Sequence, residues 1–186
     1  MQPSTGGCPP VFRRAALIVV VAEKPSVARD IARVLGCRQK GQGFIGGDTH
    51  QVTWALGHLV TLCEPDEVDQ KYKRWRAEDL PILPPTIPTK VIPKTKSQYQ
   101  VVKKLICDRQ TDRVICATDA GREGELIFRL IYEKSGCKKP FDRLWISSMT
   151  DQAIRDGLAA MKPGQAYDGL YASALGRAQA DWLVGM

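Results

Sequence analysis

The sequence predicts an α/β domain: a parallel sheet with helices against its faces. Three observations carry this. The runs Leu17–Ala22 and 113–117 are apolar and β-branched almost throughout, as strands covered on both faces are. Each leads into a segment whose apolar residues recur at helical spacing. A third strand-type run, "DRLWISS", followed by another helical segment, repeats the alternation expected of strand–helix–strand units.

The elements follow in order. Residues 1–16, opening "MQPSTGGCPP", read as a disordered leader. Arg13 and Arg14 before "AALIVVVA" imitate a secretory signal. That apolar run is short, however, and passes straight into charged "EKPS" without a cleavage site, so a buried strand is the expectation. Pro25 and Ser26 suit a helix start, Val27, Ile31, Val34 and Leu35 supply its inner side, and Gly36 its stop. Between residues 41 and 62 alternating residues and glycines predict short strands, with a tight turn at Gly46-Gly47. The proline-rich stretch from Glu64 to Pro93, with "LPILPPTIP", reads as an extended surface connection, since proline suits neither a helix interior nor a central strand. "KTKSQYQVVKKLI" opens a helix facing inward with Val101, Val102, Leu105 and Ile106. Residues 113–117 form the second strand, and 123–132 a helix with Leu126, Ile127, Leu130 and Ile131 inward. A helix capped by Thr150 comes after the third strand. Beyond the Pro163-Gly164 turn a final helix runs from Tyr167 to about Leu183.

Composition narrows the function classes. Hydrophobic residues at 44% and charged residues at 25% are ordinary for a globular domain, which excludes a disordered chain or a fibre. No run approaches the roughly 20 apolar residues of a membrane helix. The formal net charge of +7 is compatible with a polyanionic partner, nucleic acid above all. Six cysteines occur without a CxxC pair, and neither His50 nor His58 follows a cysteine at zinc-finger spacing. No structural zinc is expected, and a reducing, cytoplasmic setting fits.

The candidate site lies in "VICATDAGREGELIF" together with "EK" after the first strand. Ligands of parallel α/β sheets bind at the carboxyl ends of the strands. Glu23 follows "LIVVVA" and Asp119 follows "VICAT", so two strands deliver carboxylates to one sheet edge, where they can share a hard cation such as magnesium. Lys24 offers a cation to a phosphate, and the helix start at 121–123 favours anions. Plainer roles stay open: Glu23 as a helix N-terminal acid, Asp119 as a turn cap, Arg122 as a surface residue. Glu125, four before Arg129, reads as half of a solvated helix pair, and His58 as a half-buried histidine at a strand end.

The pairing of "VVAEKPSVARDIARVLG" with "ATDAGREGELIFR" resembles the Toprim domain of type IA DNA topoisomerases, the bacterial topoisomerase III group in particular. "VTWALGHLVTL", "WRAEDLPILP", "RLWISSMTDQAI" and "YDGLYASALGRAQADWLVGM" extend the likeness, in order, over almost everything from Leu17 onward. The resemblance implies a Toprim (Rossmann-like) parallel sheet flanked by helices over 17–150. It also implies a C-terminal helical segment, 151–186, that opens a following, truncated domain gripping single-stranded DNA. It assigns magnesium to Glu23, Asp119 and Glu123, and the scissile phosphate to Lys24 with Arg122 beside it. His58, Arg177 and Asp181 match DNA-contacting positions. The motif's second aspartate falls on Gly121, which leaves fewer ligands and implies weak metal binding. The family breaks a single strand with a tyrosine, passes the other strand and reseals. None of Tyr72, Tyr99, Tyr132, Tyr167 and Tyr171 has the family's nucleophile context. The chain therefore reads as an N-terminal part that needs the remainder of a topoisomerase chain and is inactive alone. A Toprim nuclease or primase, and a non-catalytic DNA-binding remnant, are the alternatives. Basic residues around Tyr72 and Trp75 (Lys71, Lys73, Arg74, Arg76) and from Lys90 to Lys104 offer a surface for single-stranded DNA, or simply a solvated face.

Overall fold

The computed structural model describes residues 16–74 and 76–185. All but the last residue of the predicted leader, Trp75 of the basic–aromatic surface, and Met186 lie outside the described residues.

Strand β1 (Leu17–Ala22) sits at the centre of the sheet, and α1 (Pro25–Val34) follows it. Pro25 occupies the first helical position, and Gly36, at φ 72°, takes the left-handed conformation that ends the helix. Then come β2 (Gln39–Gly41), β3 (Phe44–Gly46) and β4 (His50–Trp54), an antiparallel run whose last strand lies parallel to β1. The glycine pair supplies the β3–β4 turn as expected, with the Gly47 N–H donating to the His50 carbonyl at 2.8 Å.

The proline-rich excursion differs in part from the expected open connection. β5 (Val60–Leu62) and β6 (Thr89–Val91) pair antiparallel as a separate ribbon, because the interval between Pro88 and Pro93 keeps its amide donors. Between them lie the short helix α2 (Pro65–Val68) and two 3-10 turns. Helix α3 (Lys96–Cys107) and strand β7 (Thr111–Ala117) complete the second crossover, and helix α4 (Arg122–Ser135) opens the third. β7 pairs parallel to β1 in a register that sets Ala22 opposite Ala117, so both strands end level.

The third strand is shorter than "DRLWISS" predicts. β8 (Phe141–Arg143) pairs parallel to β7 only as far as Arg143 opposite Cys116. Its outer neighbour β9 (Lys162–Pro163) has two residues, one a proline, so the edge cannot extend the ladder. Helix α5 (Asp151–Ala159) is capped as expected, the Thr150 hydroxyl accepting from the Ala153 N–H at 3.2 Å. Helix α6 (Asp168–Val184) packs along α4.

Strand order is β2-β3-β4-β1-β7-β8-β9. Successive β1 residues enter opposite cores. Val19 and Val21 join Val114, Cys116 and Phe128 under α3 and α4, whereas Val20 and Ala22 join Ile115, Ala117 and Ile31 under α1, with Ile154 of α5. Both faces are covered, which is why β1 shows no polar alternation. Phe128, fully buried against Phe141 and Tyr132, contributes about 2–3 kcal/mol through burial.

Candidate active site

The level ends of β1 and β7 decide the site. Glu23, the first residue past β1, is 8% exposed, and its Oε2 accepts the Asp119 N–H at 3.2 Å. Lys24 Nζ donates to Asp119 Oδ2 at 3.0 Å and stands 3.9 Å from Glu23 Oε1. The Asp119 hydrogen bond and charge, then the Glu23 charge, push the Lys24 pKa up, so the ammonium is held firmly protonated. Both Lys24 and the Asp119 side chain reach solvent.

Arg122 and Glu123 start α4 and are exposed. Glu123 Oε1 meets His58 Nε2 at 2.5 Å. The structure therefore gathers Glu23, Lys24 and Asp119 at one point and gives the third predicted ligand, Glu123, a different partner. Among the described residues no group of three or more His, Cys, Asp or Glu side chains is arranged to hold a metal ion. Two converging oxygen ligands still suit a hard cation that keeps most of its waters, with Lys24 in the place such an ion would contest. Gly121, extended at φ 175° and with no atom within 4 Å of where a Cβ would stand, is required by neither backbone nor packing. Gly124 is the opposite case: a Cβ there would meet the Asp119 carbonyl oxygen at 2.2 Å.

Sequence reasoning missed what lies beneath this turn. Glu125 pairs with Arg129 as expected (Nε to Oε1, 2.9 Å), but the pair is not solvated: Glu125 is 0% exposed. Its other oxygen takes Nε–H of Arg143 at 2.9 Å, and Arg143 is also 0% exposed. The remaining guanidinium donors reach the carbonyls of Thr118 (2.8 Å), Leu144 (2.7 Å), Asp119 (2.7 Å) and, less closely, Cys116 (3.3 Å). Arg129 continues the chain to Asp168 Oδ1 and the Gly164 carbonyl, at 2.7 and 2.8 Å. Two arginines are thus balanced by two acids, and among the described residues no buried side-chain polar atom lacks a partner. An arginine inside a strand-type apolar run was the one available signal.

Arg177 and Asp181 lie on α6, exposed and 3.6 Å apart. Trp182, a residue further along, donates to the Cys63 carbonyl at 2.8 Å, tying α6 to the β5 side. A cleft of about 250 Å³ runs from His58 past Thr61 and Leu126 to Ala178 and Trp182. Of the basic surface, Lys71 pairs with Asp69 at 3.7 Å and lies over the Tyr72 ring, Arg76 pairs with Glu78, and Lys90 with Glu67. Local acids therefore take up part of that charge.

Comparison with known proteins agrees with this layout. The Toprim domain family matches residues 18–149. The chain is 56% identical over 168 residues to DNA topoisomerase 3 of Bacillus thuringiensis (strain Al Hakam), covering 90% of this chain and 23% of that one. To DNA topoisomerase 3 of Bacillus subtilis (strain 168) it is 52% identical over the same length and shares. The chain thus spans 23% of the length of these relatives. Among solved structures, full-length topoisomerase I from Thermotoga maritima superposes with a TM-score of 0.59 at 20% identity, over 89% of this chain and 24% of that one, a likeness of fold.

Proposed function

Since this chain belongs to the Toprim domain family, we propose that it is the Toprim part of a type IA DNA topoisomerase of the topoisomerase III kind, working on single-stranded DNA in the cytoplasm. The convergence of Glu23 and Asp119 at the level ends of two parallel strands, with Lys24 between them, is the observation that carries the reading. No helix among the described residues is long and apolar enough to cross a membrane.

In this reading Glu23 and Asp119 would hold a magnesium ion, with Glu123 free to join on leaving His58, and the ion would supply neutralisation of phosphate charge and polarisation of a phosphate oxygen. Lys24, more than half exposed, turns from Asp119 to a non-bridging oxygen of the scissile phosphate, and Arg122 adds positive charge at the same helix start. His58 flanks the strand, and Arg177 and Asp181 on α6 meet it further along. The five tyrosines here are engaged elsewhere: Tyr72 beneath the Lys71 ammonium, Tyr99 in the core, Tyr132 and Tyr171 by hydrogen bonds to the Lys139 carbonyl and to Glu133, Tyr167 stacked on Trp145. The nucleophile is therefore assigned to the remainder of the whole protein. Its phenolic oxygen bonds to phosphorus as the bond to the 3′ oxygen breaks, and the phenolic proton passes to that leaving oxygen. Resealing reverses the step, with bond energy conserved in the phosphotyrosine.

The test is a hybrid in which this chain replaces the matching 168 residues of the Bacillus subtilis enzyme. It should relax negatively supercoiled plasmid with magnesium, and Glu23→Gln or Asp119→Asn should slow relaxation about a hundredfold. A folded hybrid without relaxation would refute the proposal. Turnover of single-stranded DNA by this chain alone would point instead to a nuclease.

A further inference from the structure

Arg143 is the largest fully buried side chain among the described residues, and the chemistry above gives it no role. Burying a guanidinium is costly, and an ion pair such as Arg143–Glu125 adds little stability over a well-packed apolar pair. Three of its four carbonyl bonds, however, converge on one short stretch of backbone. The turn after β7 carries Asp119, and Arg143 takes the carbonyls of Thr118 and Asp119 at 2.8 and 2.7 Å, with Cys116 behind them. The Thr118 and Asp119 carbonyls lie past the end of the β7–β8 ladder, so no strand partner holds them, whereas the Cys116 carbonyl also accepts from the Leu144 N–H. The fork is itself aimed by Glu125, one turn into α4, which Arg129 braces from the other side.

We propose that Arg143 is a positioning residue for the metal-binding carboxylate: its buried guanidinium grips the Asp119 turn from beneath and sets the distance between Asp119 and Glu23. This rests on the reading of Glu23 and Asp119 as metal ligands. The planar fork is what the task needs, because five donors in fixed directions reach several carbonyls and a carboxylate at once. A lysine keeps the charge opposite Glu125 but has one nitrogen, and it must release most of the carbonyls. Partners behind a metal ligand characteristically control affinity by about 10- to 100-fold.

The experiment uses manganese alone as the probe, with free ion followed by electron paramagnetic resonance and folding by circular dichroism. Arg143→Lys should fold and bind manganese about tenfold more weakly than the native chain. Asp119→Asn and Glu23→Gln should bind more weakly still. Native affinity in a folded Arg143→Lys, beside weak Asp119→Asn, overturns the role of Arg143. Native affinity in Asp119→Asn and Glu23→Gln overturns the metal site itself. A second measurement needs no variant: in the native chain the side-chain N–H signals of Arg143 should be resolved and shift together with the Asp119 amide as magnesium is added. Arg143 signals that stay fixed while the Asp119 amide moves would also sink the proposal, whatever the folding of Arg143→Lys.

Discussion

Replacing Gly124 by alanine tests how tightly the Asp119 turn is seated. On an ordinary helix this change gains about 1 kcal/mol from alanine's helical preference. Here the new Cβ would stand 2.2 Å from the Asp119 carbonyl oxygen and 2.9 Å from its nitrogen. Backbone and Cβ must separate by about 1 Å to reach ordinary contact distance. The turn cannot yield freely, because the same carbonyl receives Arg143 at 2.7 Å and the Thr118 hydroxyl donates to the Gly124 carbonyl at 2.7 Å. Overpacking of this kind costs about 1–3 kcal/mol, and loosening a bond from a charged donor a further 1–2 kcal/mol or so. Set against the helical gain, a net loss of about 2 kcal/mol is expected, or roughly 4–8 °C in melting temperature for a chain of this size. A site that tolerates misplacement of about 0.5 Å should also lose manganese affinity about tenfold. Melting followed by circular dichroism, with manganese binding on the same samples, gives both readings. A Gly124→Ala chain as stable as the native one, with native affinity, would refute the reasoning.

Three further outcomes are expected. Gly121→Asp has room for its side chain and a backbone that any residue adopts, so it should fold normally and tighten manganese binding on the order of tenfold by restoring a third acidic ligand; unchanged or weaker affinity in a titration would count against the metal site. Burial pushes the Cys116 thiol up to about 11 from 9.0, so the folded chain keeps its proton while the unfolded chain ionises. That contribution is complete below pH 9 and is lost as pH rises to 11, at most about 3 kcal/mol; urea unfolding across this range should show it, and Cys116→Ala should flatten the slope. Arg177→Ala should weaken binding of single-stranded oligonucleotides of every sequence alike and reduce the slope of log affinity against log salt by about 0.7, as seen by fluorescence anisotropy; an unchanged slope would remove Arg177 from the DNA path.

The sheet was legible where burial is symmetrical. β1 and β7 lie under helices on both faces, so their apolar runs carry no competing period, and a residue placed just after them had to fall on the same sheet edge. Helix ends were legible where one residue sets the local conformation, as at Pro25, Gly36 and Thr150. Long-range partnerships were not. Glu125 and Arg129 have the spacing of a surface pair, and only Arg143, arriving from β8, reveals that they are interior. The β5–β6 ribbon joins segments separated by the proline-rich excursion, and no local pattern announces that pairing. The His58–Glu123 contact is likewise a matter of where a loop comes to rest.

The β1–β7 register has an architectural consequence. Main-chain hydrogen bonds between adjacent strands bring Ala22 level with Ala117, so Glu23 and Asp119, which follow them, reach the same edge however far apart they lie in the chain. The proline-rich part of the intervening chain, between β5 and β6, adds no strand to this sheet, so the register does not depend on it. A one-residue slip between the two strands, by contrast, would carry one acid out of reach of the other, and no rearrangement of surface loops could restore it.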